Sequence, residues 1–347
     1  MRQLDGRLKG GHDEEKNGMH NPILVEVTRA ALVESVHRGS IAIADADGVI
    51  RFALGDVETP VYTRSSLKPI QALPLIESGA AEAFGLSDEE IALACASHSG
   101  EPMHTSRVAA WLSRIGCGEA DLACGPQAPR YEPALEDMVR SSEKPSRLHN
   151  NCSGKHSGFL TVARHWGVAT AGYERFEHPV QQAVVTSLRQ LSSVSETPWG
   201  VDGCAAVNFA LPLTGFACAL AKLAGRRTVG AGRILRAMTA HPELVAGTGR
   251  ACTALMRAGH GRAAVKIGAE GVYAAMVPER GLGIALKIDD GAARAAETAI
   301  AAILDRLGLL DETAHDFIRA PVLNTRGATV GERRPAPALA KADLTAI

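Results

Sequence analysis

The sequence has almost no net charge, with 37 Lys and Arg residues against 38 Asp and Glu residues. Proteins that bind nucleic acids or anionic membrane surfaces usually carry a concentrated positive charge. No stretch approaches the roughly 18 consecutive apolar residues of a membrane helix, and the N-terminus lacks the apolar core of a secretory signal. The sequence therefore predicts a cytoplasmic protein that acts on a small molecule, with neither nucleic acid nor membrane as a partner.

The seven cysteines lack a tight framework of paired positions. Their odd number and wide spacing are typical of a reducing compartment, where thiols pack in the core, bind metal or react. Several common site motifs are missing too: the G-x-S-x-G elbow, the Walker phosphate loop, the H-E-x-x-H zinc motif and a dinucleotide fingerprint after a strand. The cysteines are Cys95, Cys117, Cys124, Cys152, Cys204, Cys218 and Cys252.

The order of strand and helix patterns predicts an α+β fold. Residues 1–20 are polar and aperiodic, which predicts a flexible tail, whereas residues 21–347 are expected to form a single unit, with two lobes as the alternative. Strand patterns flank Asp47-Gly48, a dipeptide typical of hairpin turns, and a strand meander is expected at 264–291. The segment at 319–335 is expected to be irregular, with a last strand inside it as the alternative. Helices are expected at about 66–78, 88–96, 104–115, 155–166, 213–223, 232–240 and 292–307. Strands at both ends indicate that the terminal segments share one mostly antiparallel sheet, packed with the helical region.

The stretch R-S-S-L-K-P, Arg64 to Pro69, places a serine and a lysine three residues apart just before a proline. Proline is tolerated in the first turn of a helix, so Pro69 predicts a helix that begins near Ser65 or Ser66. Residues three apart share one helix face, which makes Ser65 and Lys68 a candidate nucleophile and base. The alternative is an ordinary helix cap with a solvated lysine, because S-x-x-K is a short pattern.

A second candidate stretch is C-A-S-H-S-G-E-P-M-H, Cys95 to His104. Its small residues and its Gly-Glu-Pro step predict a helix end, where backbone N–H groups and the hydroxyls of Ser97 and Ser99 face one space. Such a loop suits substrate positioning or a second hydroxyl nucleophile. An ordinary loop that ends a helix is the alternative.

The stretch H-N-N-C-S-G-K-H-S-G, His149 to Gly158, has the most unusual local composition in the chain. Cys152 and His156, four residues apart, are candidate metal ligands, or a thiol nucleophile with its base. Further along, G-V-D-G-C-A-A places Asp202 and Cys204 on one side of the chain if that run is extended. A purely structural role is the alternative for both stretches.

Four stretches, R-S-S-L-K-P, A-S-H-S-G-E, H-N-N-C-S-G-K-H and V-D-G-C, occur in this order, and together they resemble the Rhizobium-type, or class 3, L-asparaginases of the asparaginase II family. The resemblance extends from about Asn21 to Arg334 and includes H-P-E-L-V-A-G-T-G-R, K-I-G-A-E-G-V and L-K-I-D-D-G. It implies a fold similar to serine β-lactamases and glutaminases, usually as a homodimer. It also implies an enzyme that converts L-asparagine and water to L-aspartate and ammonia.

The resemblance further implies roles for individual residues. Two serine–lysine tandems would carry the catalysis, with Lys287 as the alternative to the second lysine; their members are Ser65 with Lys68 and Ser97 with Lys266. A zinc ion would be held beside the site, and no organic cofactor is expected; the zinc ligands are Cys152, Lys155 and Cys204. The residues implied for substrate binding are Arg64, His156 and Asp202.

The mechanism that follows is acyl transfer from the substrate amide to a serine hydroxyl. Ser65 is favoured as the nucleophile because it lies at a helix start, with Ser97 relaying protons. Four alternatives stay open at this point: a cysteine-dependent amidohydrolase, a metal-dependent one, a glutaminase and a β-lactam-reactive serine hydrolase. Asparagine and glutamine differ by one methylene, which sequence patterns do not resolve.

Overall fold

The computed structural model describes residues 20–344 and 347, so the predicted flexible tail lies outside the described residues apart from His20. The strands are β1 Ile23–Arg29, β2 Leu32–Ala44, β3 Ile50–Leu54, β4 Val61–Tyr62, β5 Trp199–Val201, β6 Val207–Leu211, β7 Ala264–Ile267, β8 Val272–Val277, β9 Leu282–Ile288, β10 Ala320–Leu323 and β11 Thr329–Pro335. The helices are α1 Lys68–Gln71, α2 Leu73–Glu77, α3 Ala80–Ala83, α4 Asp88–Ala94, α5 Pro102–Arg114, α6 Glu132–Arg140, α7 Ser153–Trp166, α8 Pro179–Ser192, α9 Leu213–Ala224, α10 Ala231–Ala240, α11 Pro242–Val245, α12 Ala251–Ala258, α13 Ala293–Arg306, α14 His315–Ile318 and α15 Pro337–Ala340. Short 3-10 turns occupy Arg64–Leu67, Glu119–Asp121, Arg147–His149 and Glu312–Ala314.

One large antiparallel sheet has the strand order β10-β11-β1-β2-β9-β8-β7, and β3 pairs with the end of β2. The turn between β2 and β3 contains Gly48 in the left-handed region at φ 85°, as the Asp-Gly pattern predicts. β1 pairs with β11 through Val25 and Pro335, so the terminal segments share one sheet. The expected α+β arrangement is therefore confirmed, while the segment at 319–335 is more regular than expected because it forms two paired strands.

Two helices, α9 and α13, pack against this sheet. The contact with α9 depends on Gly283 in β9, where an added Cβ would lie 2.1 Å from the backbone nitrogen of Ala221. Any side chain at this position would push the helix away from the sheet. Almost every residue of β7, β8 and β9 is buried, and with the alanine-rich α13 these strands form part of one continuous core.

The predicted single helix at 66–78 is wrong in detail. The chain instead forms a 3-10 turn, then α1 and α2, with Pro69 and Pro74 each in the first turn of its own helix. A proline inside one long helix would remove a backbone hydrogen bond and clash with the preceding turn, so the chain restarts the helix at each proline. This interruption sets Lys68 at the start of α1.

A second, smaller sheet has the order β4-β6-β5 and was not predicted, nor was α8. This small sheet connects two of the candidate stretches, since β4 leads into the turn with Ser65 and the β5–β6 turn contains Cys204. Within residues 20–344, no helix combines the length and the apolar character needed to cross a bilayer.

Candidate active site

Ser65 lies in the 3-10 turn after β4, directly after a strained residue. Arg64 has φ 49°, a left-handed conformation that residues other than glycine rarely adopt. Its backbone N–H donates to Oδ1 of Asn208 at 3.1 Å, and its guanidinium donates to Oδ1 of Asp202 at 2.9–3.0 Å. These contacts hold the turn so that Ser65 lines a pocket at the protein surface.

The pocket has a volume of about 350 Å³ and combines all of the candidate stretches except that around Ser97. Its wall is polar, with amides, guanidinium groups and thiols. The lining residues are Arg64, Ser65, Pro126, Gln127, Arg130, Asn150, Asn151, Cys152, Asp202, Gly203, Cys204 and Ala269. A space of this size and polarity suits a small charged molecule such as an amino acid.

Two buried lysines converge on the hydroxyl of Ser97. Lys68 is 1% exposed and donates from Nζ to Ser97 Oγ at 3.0 Å, and Lys266 is fully buried and donates to the same oxygen at 2.9 Å. The burial of Lys68 excludes the alternative of a solvated lysine after a helix cap. The backbone N–H of Lys68 donates to the carbonyl of Ser65, but in the described part of the chain no hydrogen bond joins the Ser65 hydroxyl to the Lys68 ammonium. The structure thus brings three of the four implied catalytic residues into one cluster, with Ser65 on the adjacent pocket wall.

Burial and the nearby charge of Lys68 lower the pKa of Lys266 to about 7. A lysine with this pKa is half neutral at pH 7 and can accept a proton there. Lys287, the alternative second lysine, is only partly buried and donates to the carbonyl of Ile288 rather than to Ser97. The structure therefore brings Lys266, and not Lys287, to the serine.

A second loop fixes the position of Ser97. The backbone N–H of Ser97 donates to the carbonyl of Val245 at 2.9 Å, and Thr248 donates to the buried Glu101 from its N–H at 2.9 Å and its hydroxyl at 2.7 Å. Between them, Gly247 has φ 123°, and an added Cβ would lie 2.2 Å from Ser99 Oγ. The sequence did not predict that this loop holds Ser97 in position, although the loop belongs to the H-P-E-L-V-A-G-T-G-R segment. Ser97 is accordingly 5% exposed, and its loop is less roomy than expected.

The thiol residues form a separate cluster on the other wall of the pocket. Cys152 caps α7, Lys155 lies in the first turn of that helix, and Nζ of Lys155 donates to Sγ of Cys204 at 3.0 Å. The neighbouring Cys152 thiol and the Lys155 ammonium lower the pKa of the Cys204 thiol to about 4. Cys204 lies in a hairpin turn and not in an extended run, because Asp202 N–H donates to the carbonyl of Ala206 at 2.9 Å.

The donor set implied for zinc consists of two thiols and one amine. No three His, Cys, Asp or Glu side chains converge as a metal site within residues 20–344 and 347, but lysine completes this set. Thiolates are preferred zinc ligands, and the ammonium of Lys155 would have to release its proton to coordinate. Cys152, Lys155 and Cys204 thus fit a zinc ion in chemistry and in proximity.

His156 lies outside the pocket. It is fully buried on α7, and its Nδ1 shares a 2.6 Å hydrogen bond with the hydroxyl of Tyr173. Burial and the charge of Lys155 lower the pKa of His156 to about 3, so the ring is neutral. The backbone N–H of His156 donates to the carbonyl of Cys152 at 3.0 Å. Among the described residues, however, the imidazole ring forms no hydrogen bond with the Cys152 thiol, whose Sγ donates to Asn151 Oδ1 at 3.0 Å. The geometry therefore gives no support to a cysteine–histidine nucleophile or to His156 as a carboxylate ligand.

Close packing explains the glycine in the S-G-K-H stretch. An added Cβ at Gly154 would lie 2.3 Å from the carbonyl oxygen of Leu93 in α4. The start of α7 therefore lies directly on the helix that leads to Ser97. This contact places the thiol cluster and the Ser97 cluster beside one another.

Several solved structures are similar to this chain. A β-lactamase from Mycobacterium bovis is 16% identical, with 78% of this chain and 95% of that chain covered and a TM-score of 0.41. A putative β-lactamase from Bacteroides dorei is 14% identical, with 72% and 84% covered and a TM-score of 0.39. Simvastatin synthase from Aspergillus terreus is 12% identical, with 80% and 94% covered and a TM-score of 0.37.

A search of curated proteins found no match for the sequence. The model of one protein family, described as L-asparaginase II, matches residues 25–335, which is most of the chain. That range includes both lysines of the Ser97 cluster, the turn with Ser65 and the three residues of the thiol cluster. The chain therefore belongs to the L-asparaginase II family.

Proposed function

We propose that this amidohydrolase converts L-asparagine and water to L-aspartate and ammonia through an acyl-enzyme on Ser65. Membership of the L-asparaginase II family supports the reaction class. The observation that carries the mechanism is the Ser97 hydroxyl held between Lys68 and Lys266, next to a pocket that Ser65 lines. Ser65 is the nucleophile because it faces the pocket, whereas Ser97 is almost completely buried.

In the first half of the reaction, Ser65 Oγ attacks the side-chain carbonyl carbon of asparagine. The serine proton passes to the lysine cluster, where Lys266 can hold it at neutral pH because burial lowers its pKa to about 7. The same cluster then returns a proton to the amide nitrogen as the carbon–nitrogen bond breaks and ammonia leaves. Ser97 relays this proton, since its oxygen contacts both ammonium groups.

In the second half, water attacks the Ser65 ester and releases aspartate. The water loses its proton to the lysine cluster, and Ser65 regains one as the ester bond breaks, so the enzyme returns to its starting state. The strained Arg64 backbone keeps Ser65 fixed on the pocket wall through both halves. Cys152, Lys155 and Cys204 would hold the zinc ion; two thiolate ligands would neutralise most of its charge, so it would serve to orient the substrate beside the pocket.

The test is ammonia release from L-asparagine and L-glutamine by wild type, Ser65→Ala and Cys152→Ala. We expect asparagine to be hydrolysed by the wild type, Ser65→Ala to lose at least about 10³-fold in kcat, and Cys152→Ala to be weakened only. Ser66→Ala is the matched control, since this neighbouring hydroxyl is buried and donates to the carbonyl of Thr63. If Ser65→Ala kept most of the activity, the nucleophile would have to be Ser97 or Cys152.

A further inference from the structure

One guanidinium in the pocket has no carboxylate partner. Arg130 and Arg64 both line the pocket, but their surroundings differ. Arg64 lies 2.9 Å from Asp202 and 4.0 Å from Glu270, so its charge is balanced by the protein. Among residues 20–344 and 347, no Asp or Glu oxygen lies within 4.0 Å of the Arg130 guanidinium. Within the described residues, the pocket therefore contains one guanidinium that forms no ion pair with a carboxylate of the protein.

The backbone of Arg130 is tied to the loop that contains Ser97. The N–H of Arg130 donates to the carbonyl of Ser99 at 2.8 Å. Next to this bond, Gly100 has φ 73°, and an added Cβ would lie 3.2 Å from Cα of Pro129. The two loops thus pack closely, and the position of Arg130 relative to Ser97 is fixed by main-chain contacts.

The other groups around Arg130 already have partners within the protein, so the ligand that faces Arg130 is expected to be an anion. The carboxylate of Asp202 is already paired with the Arg64 guanidinium at 2.9 Å. Gln127, the neighbouring wall residue, already accepts the Asn151 N–H through Oε1 at 3.0 Å. An arginine has a planar pair of N–H donors that match a carboxylate, and the guanidinium of Arg130 donates to no other group among residues 20–344 and 347.

We infer that Arg130 binds the α-carboxylate of the substrate and so selects free amino-acid amides over amides whose α-carboxyl group is blocked. This inference rests on the proposed asparagine hydrolysis, and it assigns the carboxylate to Arg130 in place of Arg64 or His156. Arg64 keeps its ion pair with Asp202 when substrate is bound. A charge-assisted contact of this kind changes affinity by about 10- to 100-fold.

The first test combines a change in the enzyme with a change in the substrate. Ammonia release is measured for L-asparagine and L-asparagine α-methyl ester with wild type and Arg130→Met, which keeps the apolar stem. We expect the wild type to prefer asparagine by about 10- to 100-fold in kcat/KM and the variant to lose that preference. Arg130→Lys should restore part of it. Arg140→Met is the matched control, because Arg140 is exposed on nearby α6 and pairs with Asp137.

The second test measures binding without any reaction. Calorimetric titration compares L-aspartate with L-aspartic acid α-amide, in which the α-carboxylate alone is neutral. The wild type should bind L-aspartate at least about tenfold more tightly, and Arg130→Met should bind the two equally. Equal preferences in wild type and Arg130→Met would overturn the inference, as would a wild type that does not bind L-aspartate. A wild type that shows the binding preference but releases no ammonia would instead refute the proposed function alone.

Discussion

Two fully buried lysines in this protein have pKa values shifted in opposite directions. Lys266 on β7 has its pKa lowered to about 7, whereas the pKa of Lys155 on α7 is raised above its usual value. Burial lowers the pKa of both groups, so burial cannot explain the difference. The neighbours do: Lys266 faces the charge of Lys68, while Lys155 faces the Cys204 thiolate.

The comparison shows how one residue type can serve two purposes within a single site. A lysine beside another cation gives up its proton near neutral pH and is suited to proton transfer. A lysine beside thiolates keeps its proton and acts as a fixed charge, or becomes a ligand only when a metal displaces that proton. Lys155 contacts the Cys204 sulfur directly, whereas Lys68 and Lys266 both donate to the same Ser97 oxygen.

The largest expected effect is a difference in kcat between variants of the two lysines. Lys266→Met should lower kcat for asparagine by about 10²- to 10⁴-fold, because the variant has lost a proton acceptor. Lys155→Met should retain kcat within about tenfold, since Lys155 does not contact Ser97. Steady-state ammonia release measures both, with Lys144→Met as the control because Lys144 is exposed. Equal losses in the two variants would remove the functional distinction.

The pH dependence of activity sharpens the comparison. Lys266 must be neutral to accept a proton, so kcat/KM should rise about tenfold per pH unit on the acidic side and level off above about pH 7. In Lys155→Met the acidic limb of this pH profile should keep the same midpoint, because the charge that lowers the pKa of Lys266 is that of Lys68. The measurement is a pH profile of both proteins; a limb that moves by more than a pH unit in Lys155→Met would contradict the assignment.

Metal removal should affect substrate binding more than chemistry. The thiol cluster lines the pocket but makes no contact with Ser97, so chelation should raise KM for asparagine several-fold and change kcat by less than about threefold. Metal content before and after chelation is measured alongside the kinetics. A near-complete loss of kcat that zinc restores would show that the thiol cluster takes part in the chemistry.

The smallest expected effect is on stability. Between pH 7 and about 10.4, Lys266 binds a proton in the unfolded chain but not in the native protein. The contribution of Lys266 to the free energy of unfolding therefore rises with pH in this range. From pH 7 to 9, the Tm of wild type should therefore increase relative to that of Lys266→Met by a few degrees. Thermal melts of the two proteins at both values test the sign. A constant difference would mean that the pKa of Lys266 is ordinary.

Local sequence signals predicted those elements whose determinants lie close together in the chain. α4 lies within the expected helix at 88–96 and begins with a capping box of Ser87 and Glu90, and the Asp47-Gly48 turn joins β2 to β3. The prediction of one continuous helix at 66–78 was wrong because Pro69 and Pro74 each occupy the first turn of a separate helix. The small sheet was missed since β4 is two residues long and pairs with a strand about 145 residues later.

The site was less accessible to local reasoning than the fold. Lys266 lies 169 residues from Ser97, and only the family resemblance joined them. That resemblance also implied His156 in substrate binding, although the ring is buried against Tyr173. No sequence pattern pointed to Arg130, because whether an arginine has a carboxylate partner depends on tertiary contacts that a sequence does not reveal.

The separation of the site residues along the chain also orders events during synthesis. Lys68 and Ser97 are made early, but β7 with Lys266 follows much later, and β11 must still pair with β1 across about 300 residues. Contacts between such distant segments form slowly and late in folding. A partly translated chain therefore lacks both Lys266 and the complete large sheet. Amide hydrolysis can begin only once nearly the whole protein has left the ribosome.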